Sequence, residues 1–305
     1  FMGDKAHKLE TGMLKERLSE MGRLGLKSVM YAGEGEPFLH ADMAEIILHT
    51  KQSGIDVALT TNGTLMGEDI ARTILPVTSW IKVSCNAGDA ETYAAVHRTK
   101  PEHFALAVKN LAKAAELRRE LDSGCPLGMQ TLLLPENRHS LPQLARTARD
   151  IGMDYLVVKP YSQHPSSVTE KYKDVSYEDS EALAEELRAL STPEFSVIVR
   201  LNAMKKWDEA IRPYAKCQAL PFWSYIDARG GVWGCSVFLG DERFLYGNIN
   251  EQSFELIWTG ERRKAALAWF DEQFDCSACR VNCRMDEINR YLWELKNPGP
   301  HVNFI

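Results

Sequence analysis

No apolar run in these 305 residues approaches the roughly 20 residues that cross a bilayer, so no membrane span is expected. Basic residues are not in excess. The formal net charge is -6, which argues against nucleic acid as the main partner, since phosphate binding favours a basic face. Internal repeats, low-complexity tracts and a secretory signal pattern are all missing from the sequence, and the expectation is a cytoplasmic protein without a membrane partner. Two familiar nucleotide loops are missing as well. After Gly33 and Gly35, Phe38 stands where a dinucleotide fingerprint needs its third glycine, and no Gly-Lys-Ser/Thr completes a Walker loop.

What is present is ordinary globular composition, 45% hydrophobic and 26% charged. The first 200 or so residues alternate short apolar runs with helical periodicity. Strands are expected at Lys27–Gly33, Asp56–Thr61, Trp80–Cys85, Leu127–Leu134 and Asp154–Lys159, with a further one at Ser196–Leu201. Between them, Leu14, Leu18, Met21 and Leu24 recur every three or four residues. Met43, Ile46 and Ile47 do the same before Gly54, and Pro101 opens a helix running to Leu121. Repeated β-α units of this kind predict a parallel sheet, open or closed into a barrel. From about residue 205 the chain becomes rich in aromatics, glycines and cysteines, with one helix expected over Ser253–Phe270. The expected division is therefore 1–204 and 205–305.

Polar residues gather where the expected strands end, the place where parallel α/β folds bind ligands. "VMYAGEGEPFLH" runs from a strand into Gly33, Glu34, Gly35, Glu36 and Pro37. Glycines there admit a ligand close to the backbone, and Glu36 suits a cationic group, although a tight turn with solvated acids explains the same residues. "ALTTNGTLM" offers Thr61, Asn62 and Gly63, and "WIKVSCNAGDAETY" offers Ser84 and Asn86. Gln130 and Lys159 sit within strands among apolar neighbours, as residues facing a barrel interior would.

Of seven cysteines, Cys85 and Cys125 stand alone, and five crowd the last third. Cys217 and Cys235 frame "CQALPFWSYIDARGGVWGC". Then "CSACRVNC" brings Cys276, Cys279 and Cys283. Thiolates three apart on a turn hold one metal centre from the same side, and a distant pair completes it. Spacing alone leaves zinc and an iron–sulfur cluster equally open.

Together these stretches resemble the radical S-adenosylmethionine (SAM) superfamily, in its branch with a C-terminal SPASM or twitch auxiliary-cluster domain. The resemblance covers almost the whole chain. "AGEGEPFLH" is similar to the motif that holds the methionyl amine of SAM, "TTNGT" to the next SAM-contacting segment, and "VSCNAGDAETYAAVHR" to the stretch around the ribose. "LLLPENRHSLPQLARTARDIGMDYLVVKPY" is similar to the fifth and sixth units. Gly33, Glu34, Gly35, Glu36, Pro37, Thr61, Asn62, Gly63, Ser84, Asn86, Gln130 and Lys159 become the expected cofactor-binding set. Cys217, Cys235, Cys276, Cys279 and Cys283 become the expected metal ligands, Cys283 being either a ligand or a free thiol that returns a hydrogen atom.

The implied fold is α/β, a partial (β/α)6 TIM-type barrel followed by a smaller cysteine-rich auxiliary iron–sulfur domain. The implied cofactors are SAM, a SAM-cleaving [4Fe-4S] cluster and one auxiliary [4Fe-4S] cluster. The family's Cys-x3-Cys-x2-Cys motif does not occur in these 305 residues, and it and the first barrel strand are expected upstream of Phe1. The implied activity is cleavage of SAM to a 5′-deoxyadenosyl radical that takes hydrogen from a small molecule such as a sugar, aminocyclitol or nucleoside. The net outcome is oxidation or epimerisation, with an electron donor such as flavodoxin or ferredoxin. A peptide or protein maturase is the alternative, and a zinc-stabilised nucleotide-binding protein a third reading.

Overall fold

The computed structural model describes residues 7–33, 35–210 and 212–304. The chain divides into two compact units. One holds residues 10–161 and 175–204, and the other holds 7–9, 162–174 and 205–304.

The first unit is built on six parallel strands: β1 (Ser28–Tyr31), β2 (Asp56–Thr61), β3 (Thr78–Ser84), β4 (Leu127–Leu133), β5 (Tyr155–Pro160) and β6 (Ser196–Val199). Their order in the sheet is their order in the sequence, and every neighbouring pair is parallel. This is the α/β architecture of a partial TIM-type barrel. Helices α1 (Thr11–Arg23), α2 (Met43–Gln52), α3 (Glu68–Ile74), α4 (Ala90–His97), α5 (Glu102–Glu120), α6 (Leu141–Asp150) and α7 (Glu181–Arg188) fill the connections.

Burial alternates along the strands because successive side chains point to opposite faces. Leu59, Ile81, Val83, Met129, Leu156 and Val158 are at most 1% exposed and form the helix-covered side. Burying each such side chain contributes about 1.5–3 kcal/mol. The opposite face carries Thr60, Lys82, Ser84, Gln130 and Lys159, all half-buried. Gly128 keeps that face open to an aromatic neighbour, since a Cβ there would lie 2.0 Å from the Tyr155 ring.

In the second unit, an antiparallel sheet joins β7 (Tyr225–Ile226), β8 (Gly231–Trp233) and β9 (Leu245–Asn248). Helix α8 (Leu201–Glu209) leads into it, and α9 (Phe254–Thr259), α10 (Glu261–Gln273) and α11 (Asp286–Lys296) follow. The single helix expected over Ser253–Phe270 is two. Gly260 adopts extended backbone between them, where a Cβ would meet Leu256 O at 2.4 Å. Asp227 nucleates the β7–β8 turn: its carboxylate accepts from Arg229 N, Gly231 N and Trp233 Nε1 at 2.8, 2.9 and 2.6 Å. No helix among the described residues is long and apolar enough to cross a membrane.

Candidate functional site

The Glu36 carboxylate fastens two strand ends together. Its Oε1 accepts from Thr61 Oγ1 at 2.6 Å, and its Oε2 accepts from Asn62 N at 2.7 Å. Pro37 opens a one-turn 3₁₀ helix (Pro37–Leu39), where its missing N–H is no loss, and Glu36 caps that turn through Phe38 N at 3.3 Å. The glycine-acid stretch is thus a turn and a clasp at once. Two carboxylate oxygens offer about four acceptor positions, which leaves Glu36 capacity for a bound cation. Gly33 has φ +143°, and among the described residues a Cβ on Gly35 would meet nothing within 4 Å, which leaves room for a ligand at this backbone. Glu34 lies outside the described residues.

The Thr61-Asn62-Gly63 turn is pinned from several sides. Gly63, at φ +79°, donates to Thr61 Oγ1 at 3.0 Å. Asn62 Oδ1 accepts from Thr64 N and Oγ1 at 2.9 and 2.6 Å. From α5, Asn110 Nδ2 reaches Gly63 O and Thr64 O at 2.9 and 3.0 Å. Glu36, Asn62 and Thr64 line a cavity of about 370 Å³ together with Leu39, Tyr93, His97 and His103.

Asn86 bonds to its own protein. Its N–H donates to His97 Nε2 at 2.9 Å, and its Oδ1 accepts from Leu132 N at 2.8 Å. Asn137, fully buried, completes the link by donating to Asn86 O and Leu132 O at 2.8 and 2.7 Å. Burial lowers the His97 pKa below the usual imidazole range, which suits its role as an acceptor. Ser84 and Gln130 are register partners on the inner face, and Lys159 is paired with Leu132.

In the second unit the five cysteines share one neighbourhood. Cys276 and Cys279 are hydrogen-bonded to each other, which draws Cys276 below the usual thiol range and pushes Cys279 up. Cys217 lies within electrostatic reach of Cys276, Cys235 of Cys217 and Cys283, and Cys279 of Cys235 and Cys283. None forms a disulfide, and burial raises the thiols of Cys217, Cys235 and Cys283.

Side chains that the sequence did not single out hold this pocket in shape. The Arg212 guanidinium donates to the carbonyls of Cys276 and Cys279, the latter at 2.7 Å, and so grips the turn between them. Asn289 on α11, 1% exposed, donates to Cys217 Sγ at 3.3 Å and accepts from Gln218 N and Ala219 N at 2.7 and 3.0 Å. Asp286 accepts from Tyr214 Oη and Arg290 Nε at 2.6 and 2.9 Å. Burial raises its pKa, yet those two hydrogen bonds hold it below the usual carboxylate range. One signal for Asn110 and Asn289 was available, for asparagine is a poor helix former and both stand inside helices.

The thiols are unbridged, and Cys217 and Cys235 take N–H donors from Asn289 and Val237 at 3.3 and 3.4 Å, which fits a thiolate-ligated metal centre such as an iron–sulfur cluster. Cys217, Cys235, Cys276 and Cys279, with Cys283 beside them, are the residues that would hold it.

Comparison with known proteins agrees with both halves of this picture. The radical SAM superfamily model matches residues 2–148, and the model of an iron–sulfur cluster-binding domain, SPASM, matches 217–284. The tungsten-containing aldehyde ferredoxin oxidoreductase cofactor-modifying protein of Pyrococcus furiosus is 23% identical over 262 residues, 80% of this chain and 69% of that protein. The AdoMet-dependent heme synthase of Methanosarcina barkeri is 24% identical over 270 residues, 83% of this chain and 74% of that one. Streptococcus suis SuiB, solved also with S-adenosylmethionine, superposes with a TM-score of 0.64 at 17% identity. That likeness covers 85% of this chain, which spans 61% of SuiB. A radical SAM domain implies SAM with a [4Fe-4S] cluster, and a SPASM domain implies auxiliary iron–sulfur clusters. With the first domain on the parallel sheet and the second over the cysteine pocket, the chain belongs to the radical SAM superfamily of enzymes.

Proposed function

We propose that this protein is a radical SAM maturase that takes a hydrogen atom from a peptide or protein substrate. When bound, SAM and its cluster supply a 5′-deoxyadenosyl radical able to attack an unactivated C–H bond. The chain's own contribution is placement. Glu36, held by Thr61 and Asn62, receives the methionyl amine beside the open backbone of Gly33 and Gly35. Ser84, Asn86, Gln130 and Lys159 provide polar groups near the ends and inner face of β3, β4 and β5. Cys217, Cys235, Cys276 and Cys279 hold one auxiliary cluster, and electrons come from a flavodoxin or ferredoxin. The observation that carries the choice of substrate is the likeness to SuiB, solved with its precursor peptide SuiA, over 85% of this chain.

A second reading, a small-molecule substrate such as a sugar, aminocyclitol or nucleoside, draws support from the relatives named as a heme synthase and a cofactor-modifying protein. One experiment separates them. The protein, reconstituted anaerobically with iron and sulfide, is given SAM, a reductant and either deuterated candidate peptides or deuterated metabolites. Deuterium in 5′-deoxyadenosine from a peptide supports the maturase, and deuterium from a metabolite alone replaces it. Bound zinc without SAM cleavage rejects both.

A further inference from the structure

Tyr246 brings to the cysteine pocket a hydroxyl that has no partner. The residue is 2% exposed, and its Oη belongs to the buried polar atoms that make no hydrogen bond among the described residues. A buried hydroxyl left unpaired costs stability that phenylalanine in the same place would not. Its position is set by β9 against the end of β8. Gly234, the residue before Cys235, donates to Phe244 O at 2.8 Å and lies directly against the hydroxyl. A Cβ on Gly234 would stand 2.3 Å from Oη, so a side chain there would displace it. Cys235 and Cys217 are the thiols within its electrostatic reach, and burial, the main cause, pushes its pKa up to about 12, so it carries a proton to donate.

We propose that Tyr246 Oη donates a hydrogen bond to the auxiliary cluster on its Cys217 and Cys235 side and thereby raises the cluster's reduction potential. The proposal rests on reading these cysteines as an iron–sulfur site. The physical reason is charge. One-electron reduction makes the cluster more negative, so a donor aimed at its sulfur stabilises the reduced form more than the oxidised form. Asn289 Nδ2 already donates to Cys217 Sγ, at 3.3 Å. Tyr246 is a second donor, and its acceptor arrives with the cluster. It is a tuning residue and touches no substrate.

The test is Tyr246→Phe, which keeps the ring and removes only the oxygen. Full-length protein is reconstituted with iron and sulfide, and the signal that does not respond to SAM is followed by electron paramagnetic resonance during a redox titration. The expected result is wild-type iron and sulfide content, with the one-electron reduction equilibrium about tenfold less favourable, a fall of ~59 mV. The metal-free variant should melt at or above the wild-type temperature, because an orphaned hydroxyl has been removed. In deuterium oxide, wild type should show a larger shift of Fe–S stretching bands than the variant, in which the N–H donors of Asn289 and Val237 remain on Cys217 and Cys235. An unchanged potential with full iron uptake overturns the hydrogen bond while leaving the cluster assignment standing. Zinc without sulfide in wild-type protein removes the assignment and this proposal with it.

Discussion

Replacing Glu36 separates its clasp on β2 from the cation-receiving role proposed for it. Glu36→Ala deletes bonds of 2.6 and 2.7 Å to Thr61 and Asn62 and a longer one to Phe38 N. Hydrogen bonds to a charged group contribute about 1.5–3 kcal/mol each. Because Asn62 is half-buried and water can replace part of the loss, about 3 kcal/mol is expected in urea unfolding. Glu36→Gln should cost only about 1 kcal/mol, since its amide oxygen can keep Asn62 N while its amide nitrogen donates to the second lone pair of Thr61 Oγ1. Binding should order the variants differently. Under the proposed role of Glu36 toward the methionyl amine, loss of its negative charge costs a further 1.5–3 kcal/mol or so, which is roughly ten- to hundredfold in Kd. Isothermal titration with SAM, on protein whose folding is verified first, measures this. If Glu36→Gln binds SAM as tightly as wild type, Glu36 is a clasp alone and the amine is held elsewhere.

Gly35→Ala should leave stability within about 0.5 kcal/mol, because among the described residues nothing lies within 4 Å of the added methyl. The same variant should weaken SAM binding if the backbone is open for a ligand, and titration of folded protein reads both. Arg212→Ala frees the Cys276 and Cys279 carbonyls, and iron retention against a chelator should fall by about 10- to 100-fold, as losing an outer support of a metal site usually does. His97 gives a pH dependence. Its folded pKa lies below the unfolded value of 6.5, so its contribution is complete above pH 6.5 and is lost as the pH falls, when the unfolded chain takes up the proton first. Urea unfolding across pH 5 to 8 should show this loss in wild type and not in His97→Gln; equal slopes would refute it.

The strands were legible because a parallel sheet covered by helices uses continuous apolar runs. β2 was expected at Asp56–Thr61 and occurs there, while other boundaries moved by a few residues. The helix break at Gly260 was not legible, because apolar and polar residues continue through it; there Gly260 takes extended backbone, at a place where an added side chain would meet Leu256 O. The candidate ligands were visible as strand-end glycines, acids and amides, and as cysteine spacing. Their supports were not. Asn110 reaches Gly63 from 47 positions away, and Asn289 reaches Cys217 from 72. Contacts of that separation leave no periodic mark in a sequence. Nor did the pattern reveal that Asn86, expected at a ligand rim, has its amide oxygen committed to Leu132 N.

The pinned Asn62-Gly63 turn has a consequence for how this protein ages. In an unfolded chain this dipeptide readily loses ammonia, because the glycine nitrogen attacks the neighbouring side-chain amide. Here Gly63 N is engaged by Thr61 Oγ1, and the Asn62 oxygen is held by Thr64. Deamidation at Asn62 should therefore be slow while the rim stays shut and quicken each time it opens. An isoaspartate formed there would insert an extra backbone carbon beside Glu36, so the damage would mark molecules whose clasp between Glu36 and β2 has come undone.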